Sequence, residues 1–424
     1  MSVVVSILKW LGIGLLAIIL LLLGLIFIPP WFAVMQDEMS SGTYVEYLED
    51  NHFAVSGENP EFGFSSDFYQ HRIFLLSEIH GYAAPQELDF QLLKHLNEQV
   101  GVRYYLAEMD PAQAMAVNIF LELGDDTYLR DVFEYYADNS FQWGNREFFA
   151  KIERIRDLNE TLPAANRIYF IGVDRLYDTS FAKRLLILMT AQQDEANLSE
   201  IESYLQTALG VEPDLPPYNE KSLEQYPSDW IPVQLFNAQL ALSMLQKDEL
   251  GSRYSNILSN IQATMKAAGP EEKFYGLWGI FHGIQVPVNE AQPLAMRLEA
   301  MNEQDEVVTV AGLYADGSLS MMPSEMLAPV VVPPNNEAYT LLPANNDDVY
   351  LYYMRGIRDL KKVAGTSPVT IFDLAAEGSP YRSSDRLMKS RGFLTHLQQF
   401  EVQGNTADAV EYIALFQGSP ALTP

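Results

Sequence analysis

Cysteine is absent from the 424 residues, which excludes thiol nucleophiles, disulfides and Cys-ligated zinc. Basic side chains are scarce: 27 Lys and Arg stand against 56 Asp and Glu, giving a formal net charge of −29. That balance argues against nucleic acid or an anionic membrane surface as partner. Three common chemical signatures are also missing, the Gly-x-Ser-x-Gly elbow, the Gly-x-x-x-x-Gly-Lys phosphate loop and the His-Glu-x-x-His helix. Histidine occurs only six times, so the position of each one carries weight.

Against these absences stands one long apolar run. Leu11 to Ile28 holds no charge, and the uncharged stretch extends from Trp10 to Gln36. A bilayer core of about 30 Å needs about 20 helical residues. Trp10 and Trp31 fall where interfacial aromatics belong, and Pro29-Pro30 stops the helix at the far boundary. The run exceeds the usual 7–15 residues or so of a signal peptide's apolar region, and no clear small-x-small site follows. Lys9 is the only basic side chain before it, whereas acidic residues from Asp37 to Asp67 accumulate beyond it with no Lys or Arg until Arg72. The expectation is a single-pass membrane protein with its N-terminus in the cytoplasm and its body periplasmic or extracellular. Gly12 and Gly14 mimic a dinucleotide fingerprint, but they lie inside this run with no preceding strand.

Residues 1–36 therefore read as a transmembrane anchor, 37–71 as an acidic, loop-rich linker, and 72–424 as an α/β domain. Ile73–Ser77, Arg103–Glu108 and Arg167–Val173 have strand character, and amphipathic or capped helices are expected at Glu87–Gln99, Pro111–Glu122, Thr127–Ala137 and Arg146–Glu160. This alternation predicts a central, mostly parallel sheet flanked by helices. Residues 181–269 change to an acidic helical block, read as an insertion. Within it Tyr254, Ile257, Leu258, Ile261 and Met265 keep a 3.6-residue period that marks core. Phe274–His282, Val307–Leu313, Asp348–Met354, Val369–Phe372 and Val410–Phe416 complete the expected strands.

Four of these strands end in ionisable groups. Glu78 and His80 follow the first, Glu108 and Asp110 the second, Asp174 and Arg175 the third, and His282 the fourth. Open α/β sheets bind ligands at the carboxyl ends of their strands. Residues two apart on a strand share a face, so Glu78 and His80 can point together. His80 and His282, each followed by glycine, form either a base and acid pair or, with Glu78 and Glu108, a divalent-metal site. Simpler roles compete: Asp110 as the cap of the helix at Pro111, Glu108 as a partner of Arg103 or Arg175, and Asp174 with Arg175 as an ion pair. The other four histidines, His52, His71, His95 and His396, lack a strand-end setting.

Leu75–Gly81 and Gly101–Glu108, followed by Ala112-Gln113-Ala114, Trp143–Glu147, Arg156–Asn159, Tyr169–Asp174 and Phe281-His282-Gly283, resemble the erythromycin esterase-like proteins. These group with the TIKI peptidases and the ChaN-like haem-binding uptake proteins. The resemblance covers about residues 70–300 in order. It implies that Glu78, His80, Glu108 and His282 are the catalytic set; Asp110, Asp174 and Arg175, at the same strand ends, are expected toward substrate. In the esterases such residues activate water; in the peptidases they bind a divalent metal. This chain has Ser77 where the family motif begins with glycine, a Glu-to-His spacing one residue shorter, and one histidine at the later motif. The expected function is a membrane-anchored hydrolase of an ester, lactone or amide bond in a small molecule or peptide. The competing expectation is a non-catalytic haem or metal binder.

Overall fold

A computed structural model describes residues 34–190, 230–245, 253–301, 306–327, 332, 337–391 and 402–424. Apart from its last three residues, the expected anchor lies outside them. No described helix is long and apolar enough to cross a membrane.

The strands are β1 (His52–Ala54), β2 (Ile73–Glu78), β3 (Tyr104–Ala107), β4 (Tyr169–Gly172), β5 (Phe274–Gly279), β6 (Val307–Ala315), β7 (Ser320–Pro323), β8 (Tyr339–Leu342), β9 (Asp347–Asp348), β10 (Tyr352–Met354), β11 (Val369–Asp373), β12 (Ser390–Arg391) and β13 (Tyr412–Gln417). Eight of them form one sheet in the order β1-β11-β13-β6-β2-β5-β3-β4. Every junction from β13 to β4 is parallel, while at one edge β11 runs antiparallel to β13 and β1 antiparallel to β11. The expected α/β class and mostly parallel sheet are therefore observed. β2 sits in the middle and is buried along its whole length. Such a strand has no solvent face, which is why Ile73–Leu76 reads as a continuous apolar run rather than an alternation. Ile73 and Leu75 join one core, Phe74 and Leu76 the other.

Helices cover both faces: α1 (Gly42–Asp50), α2 (Ala84–Val100), α3 (Pro111–Leu123), α4 (Thr127–Asp138), α5 (Arg146–Thr161), α6 (Thr179–Thr190), α7 (Trp230–Leu245), α8 (Arg253–Ala268) and the single turn α9 (Ile280–Gly283). Local chemistry sets several boundaries. α2 stops at Gly101, whose φ of +72° closes the C-terminus. α3 begins with a reciprocal capping box between Asp110 and Gln113, with Pro111 at the first position. Within the expected 181–269 insertion the described parts are helical, and Ile257, Ile261 and Met265 of α8 are buried as their period requires.

β4 ends the sheet, and side-chain amides satisfy its backbone there. Asn118 donates to the Phe170 carbonyl (2.9 Å) and accepts from its N–H (2.8 Å), while Asn237 accepts from Gly172 N–H (3.1 Å). An edge strand closed in this way offers no template for another chain. Asp348–Met354, expected as one strand, instead folds back as β9 and β10. The Asp348 carboxylate accepts from the N–H groups of Tyr350 and Leu351, both at 2.9 Å, and this local turn outcompetes extension.

Residues 37–71 correct the expectation of a linker. They contribute α1 and the edge strand β1, and Asp37 is buried. Its Oδ1 accepts from Arg386 Nη1 (2.5 Å) and its Oδ2 from Tyr353 O–H (2.9 Å) and Gly356 N–H (2.8 Å). Arg386, wholly buried, also donates to Asp359 (2.6 Å). Acidic composition suggested solvent exposure because the cation that pairs with Asp37 lies about 350 positions away. Arg386→Met would strand two buried carboxylates. Breaking one side of such a pair typically lowers stability by about 3–5 kcal/mol. Urea unfolding should show that loss, and a midpoint equal to wild type would remove this cluster as the fastening of the N-terminal segment.

Candidate active site

The parallel register brings the carboxyl ends of β2, β5, β3 and β4 into one row. Glu78 pairs with Gly279, and Ala107 with Gly172. Glu78, His80, His282, Glu108 and Asp174 therefore emerge side by side from four adjacent strands. One detail differs from the sequence expectation. β5 ends at Gly279, and His282 rides on α9 rather than on a strand end. Glu108 Oε2 accepts from Gly279 N–H (2.9 Å), supplying the bond that the ladder would otherwise give. Gly283 then lets this turn settle onto β2, because a Cβ there would lie 1.9 Å from Ser77 Oγ.

His80 Nδ1 lies 3.1 Å from Glu78 Oε1. An ionised carboxylate fixes the proton on Nδ1 and leaves Nε2 as the acceptor. The ring meets the edge of Trp143 at 5.5 Å between centroids. Its backbone is locked as well: Gly81 has φ +103°, Ser320 Oγ donates to the His80 carbonyl (3.1 Å), and Met321 N–H donates to the Gly81 carbonyl (2.9 Å). A Cβ on Gly81 would lie 2.4 Å from Ser320 Oγ, so only glycine fits. Glu78 is 4 % exposed, and its buried Oε2 has no hydrogen-bond partner among the described residues.

Glu108 is the hub of the second half. Its Oε1 lies 3.2 Å from His282 Nε2 and accepts from Arg253 Nη2 at 2.8 Å. His282 stacks on Tyr254 (5.3 Å between centroids) and places Nδ1 3.3 Å from the Tyr254 hydroxyl. Arg253 donates to Asp174 through Nε (2.9 and 3.0 Å) and Nη2 (2.5 Å), and Tyr177 O–H also donates to Asp174 (2.8 Å). The halves meet over Gly279. The point a Cβ would occupy there lies 3.0 Å from His80 Nε2 and 3.6 Å from His282 Cδ2. Two imidazoles about 200 residues apart in sequence thus face one gap that a missing side chain keeps open.

Charge follows from these contacts. For His80, burial opposes the imidazolium, but the hydrogen bond and charge of Glu78, with help from Glu108, outweigh it and raise its pKa. Burial also raises Glu78, against the pull of His80 and Lys151. The pair therefore keeps a shared proton to higher pH than an isolated imidazole. Burial would raise Glu108 too, yet His282, His80 and Arg253 hold its carboxyl well below the usual range.

The remaining predicted residues fall as follows. Asp110 is fully buried and caps α3, accepting from Gln113 N–H (2.8 Å) and Tyr177 N–H (3.0 Å); burial pushes its pKa up to about 7. Arg175 is exposed with its guanidinium over the Tyr177 ring, so Asp174 pairs with Arg253 instead. Arg103 pairs with Glu272. Among the described residues no group of three or more His, Asp and Glu is disposed to hold a metal ion. The donor set explains this: both Glu108 oxygens and both Asp174 oxygens already accept from Arg253 or backbone and side-chain donors. Of the set considered for a divalent metal, Glu108 is therefore already engaged at both oxygens. His52, His71 and His95 bond to Leu48, Phe68 and Tyr69, and His396 lies outside the described residues. Sequence reasoning missed Arg253 and the functional side of Tyr254, because a helical period reports burial and not what the partly buried flank touches.

No family model matches the chain, and no curated protein matches it. Among solved structures it is similar to a succinoglycan biosynthesis protein, with 12% identity over 91% of this chain and 99% of that one, at a TM-score of 0.59. A Bacillus cereus protein aligns with 11% identity over 90% and 98%, at 0.55. An erythromycin esterase mutant in its open conformation aligns with 12% identity over 82% and 91%, at 0.47. What the first two of these share with this chain is the fold.

A titration of the six histidines by NMR should find His80 protonated above the ordinary histidine value of about 6.5, and Glu78→Gln should lower its midpoint. A pKa raised on folding stabilises the fold fully below about 6.5, and the contribution fades as pH rises through the raised value. An unshifted His80 signal in Glu78→Gln would contradict the pairing.

Proposed function

We propose that this protein is a hydrolase that activates water with His80 and needs no metal to do so. The observation that carries the reading is the imidazole itself: Nδ1 held by Glu78, and Nε2 directed over the open face of Gly279 beside His282. Water bound there would pass a proton to Nε2 as its oxygen bonds to an ester, lactone or amide carbonyl. Glu78 stabilises the imidazolium so formed. When the tetrahedral intermediate collapses, the leaving oxygen or nitrogen takes that proton back. Glu108 has a different task from the one expected of it: ionised and sealed, it holds His282 and Arg253 rather than exchanging protons.

The fold likeness and the motif resemblance support hydrolysis of a small-molecule or peptide substrate. The charge-free run from Trp10 to Gln36 supports a membrane tether, and Lys9 supports a body outside the cytoplasm. Carbonate extraction and protease protection of membranes from expressing cells test that part: release of the chain by carbonate, or full protection of the body in spheroplasts, would overturn it.

His80→Ala should lower kcat/KM on a panel of p-nitrophenyl esters, lactones and peptides by about 10²–10⁴-fold, the usual worth of general acid–base assistance. Near-normal turnover in that variant would remove His80 from the mechanism. A preparation with a Soret band that disappears on His80→Ala would instead replace hydrolysis by haem binding. In wild type, kcat/KM should climb with pH through the raised midpoint of the Glu78–His80 pair and then level. Glu78→Gln should shift that limb to lower pH. Dialysis against EDTA should leave the rate unchanged.

A further inference from the structure

Arg253 plays no part in the sequence reading, yet it is the most elaborately held cation at the site. Nε and Nη2 present one edge of the planar guanidinium to Asp174, and Nη2 also reaches Glu108. These bonds use three of the five N–H groups and fix the plane. Nη1 has no hydrogen bond to any of the described residues. Its carboxylate partners are sealed, Asp174 at 0 % and Glu108 at 6 % side-chain exposure, while the Arg253 side chain is 31 % exposed. The held edge is therefore inside, while about a third of the side chain as a whole reaches solvent. Glu108 links this guanidinium to His282, and the fields of both Arg253 and Glu108 reach His80.

We propose that Arg253 Nη1 is the donor that receives the negatively charged oxygen of the substrate as water attacks. The chemistry rests on the hydrolase reading above. Addition of water to a carbonyl moves the π electrons onto oxygen as the proton goes to His80 Nε2, so an anion and an imidazolium form together. A guanidinium already locked in place meets that anion without reorganising, which is where such donors are most effective. Glu108 and Asp174 are positioning residues here. They hold one edge of Arg253 and so aim the other.

The probe is p-nitrophenyl methylphosphonate, a stable anion with the tetrahedral shape of the intermediate, measured by calorimetry with the full-length protein. Arg253→Lys keeps a cation beside Asp174 but has no second edge, and Arg253→Gln removes the charge. Wild type should bind the phosphonate, more tightly at pH 6 than at pH 8, and each folded variant should bind at least about tenfold more weakly. On any ester that is turned over, Arg253→Lys should lose about 10²–10³-fold in kcat with little change in KM, the scale of one lost oxyanion donor. No phosphonate binding by wild type, or equal binding by Arg253→Lys, would overturn the assignment. Arg253-dependent binding without turnover on any substrate would sink the hydrolase reading and leave the anion site standing.

Discussion

Glu108 carries its negative charge almost entirely out of contact with water, and the arrangement around it follows from that. An uncompensated buried carboxylate is costly, so it must be met by donors from several directions. Gly279 N–H, Arg253 and His282 meet it, and they come from β5, α8 and α9 respectively. One charge thereby joins the end of the central sheet to the helical block packed against it. Loss of any one donor leaves the others misdirected, which couples the helical block to the site through electrostatics as well as apolar packing.

The sheet supplies what that carboxylate needs. Parallel pairing puts the carboxyl ends of β2, β5, β3 and β4 at one edge with no adjustable register, because both faces are buried and a one-residue slip would invert every side chain. Glycines then make room where elements meet. Gly279 leaves the gap between the rings, Gly283 admits Ser77, and Gly81 admits the β7 backbone and Ser320 beside His80. Ser77 in turn is accommodated because Gly283, lacking a Cβ, leaves room for its Oγ.

Much of the frame was legible in the sequence. The apolar run of β2, the period of α8, Pro111 after a capping Asp110, and glycine after α2 each express a local rule, and the structure obeys them. Glu78 and His80 were legible as a nearby pair too, although β2 stops at Glu78 and His80 lies in the turn beyond it. What sequence alone misread depended on partners remote in the chain. Acidic residues near Asp37 suggested an exposed linker until Arg386 and Asp359 closed around them. His282 looked like the end of a strand until Glu108 took the Gly279 N–H and the chain turned.

The local chemistry of the chain by itself determined the alternating elements and the pairing of Glu78 with His80, because each rests on contacts within a few residues. Only the tertiary structure decided that Arg253 lies between Glu108 and Asp174. That choice depends on where α8 lies against the strand ends, a distance of three dimensions that no spacing in one dimension encodes.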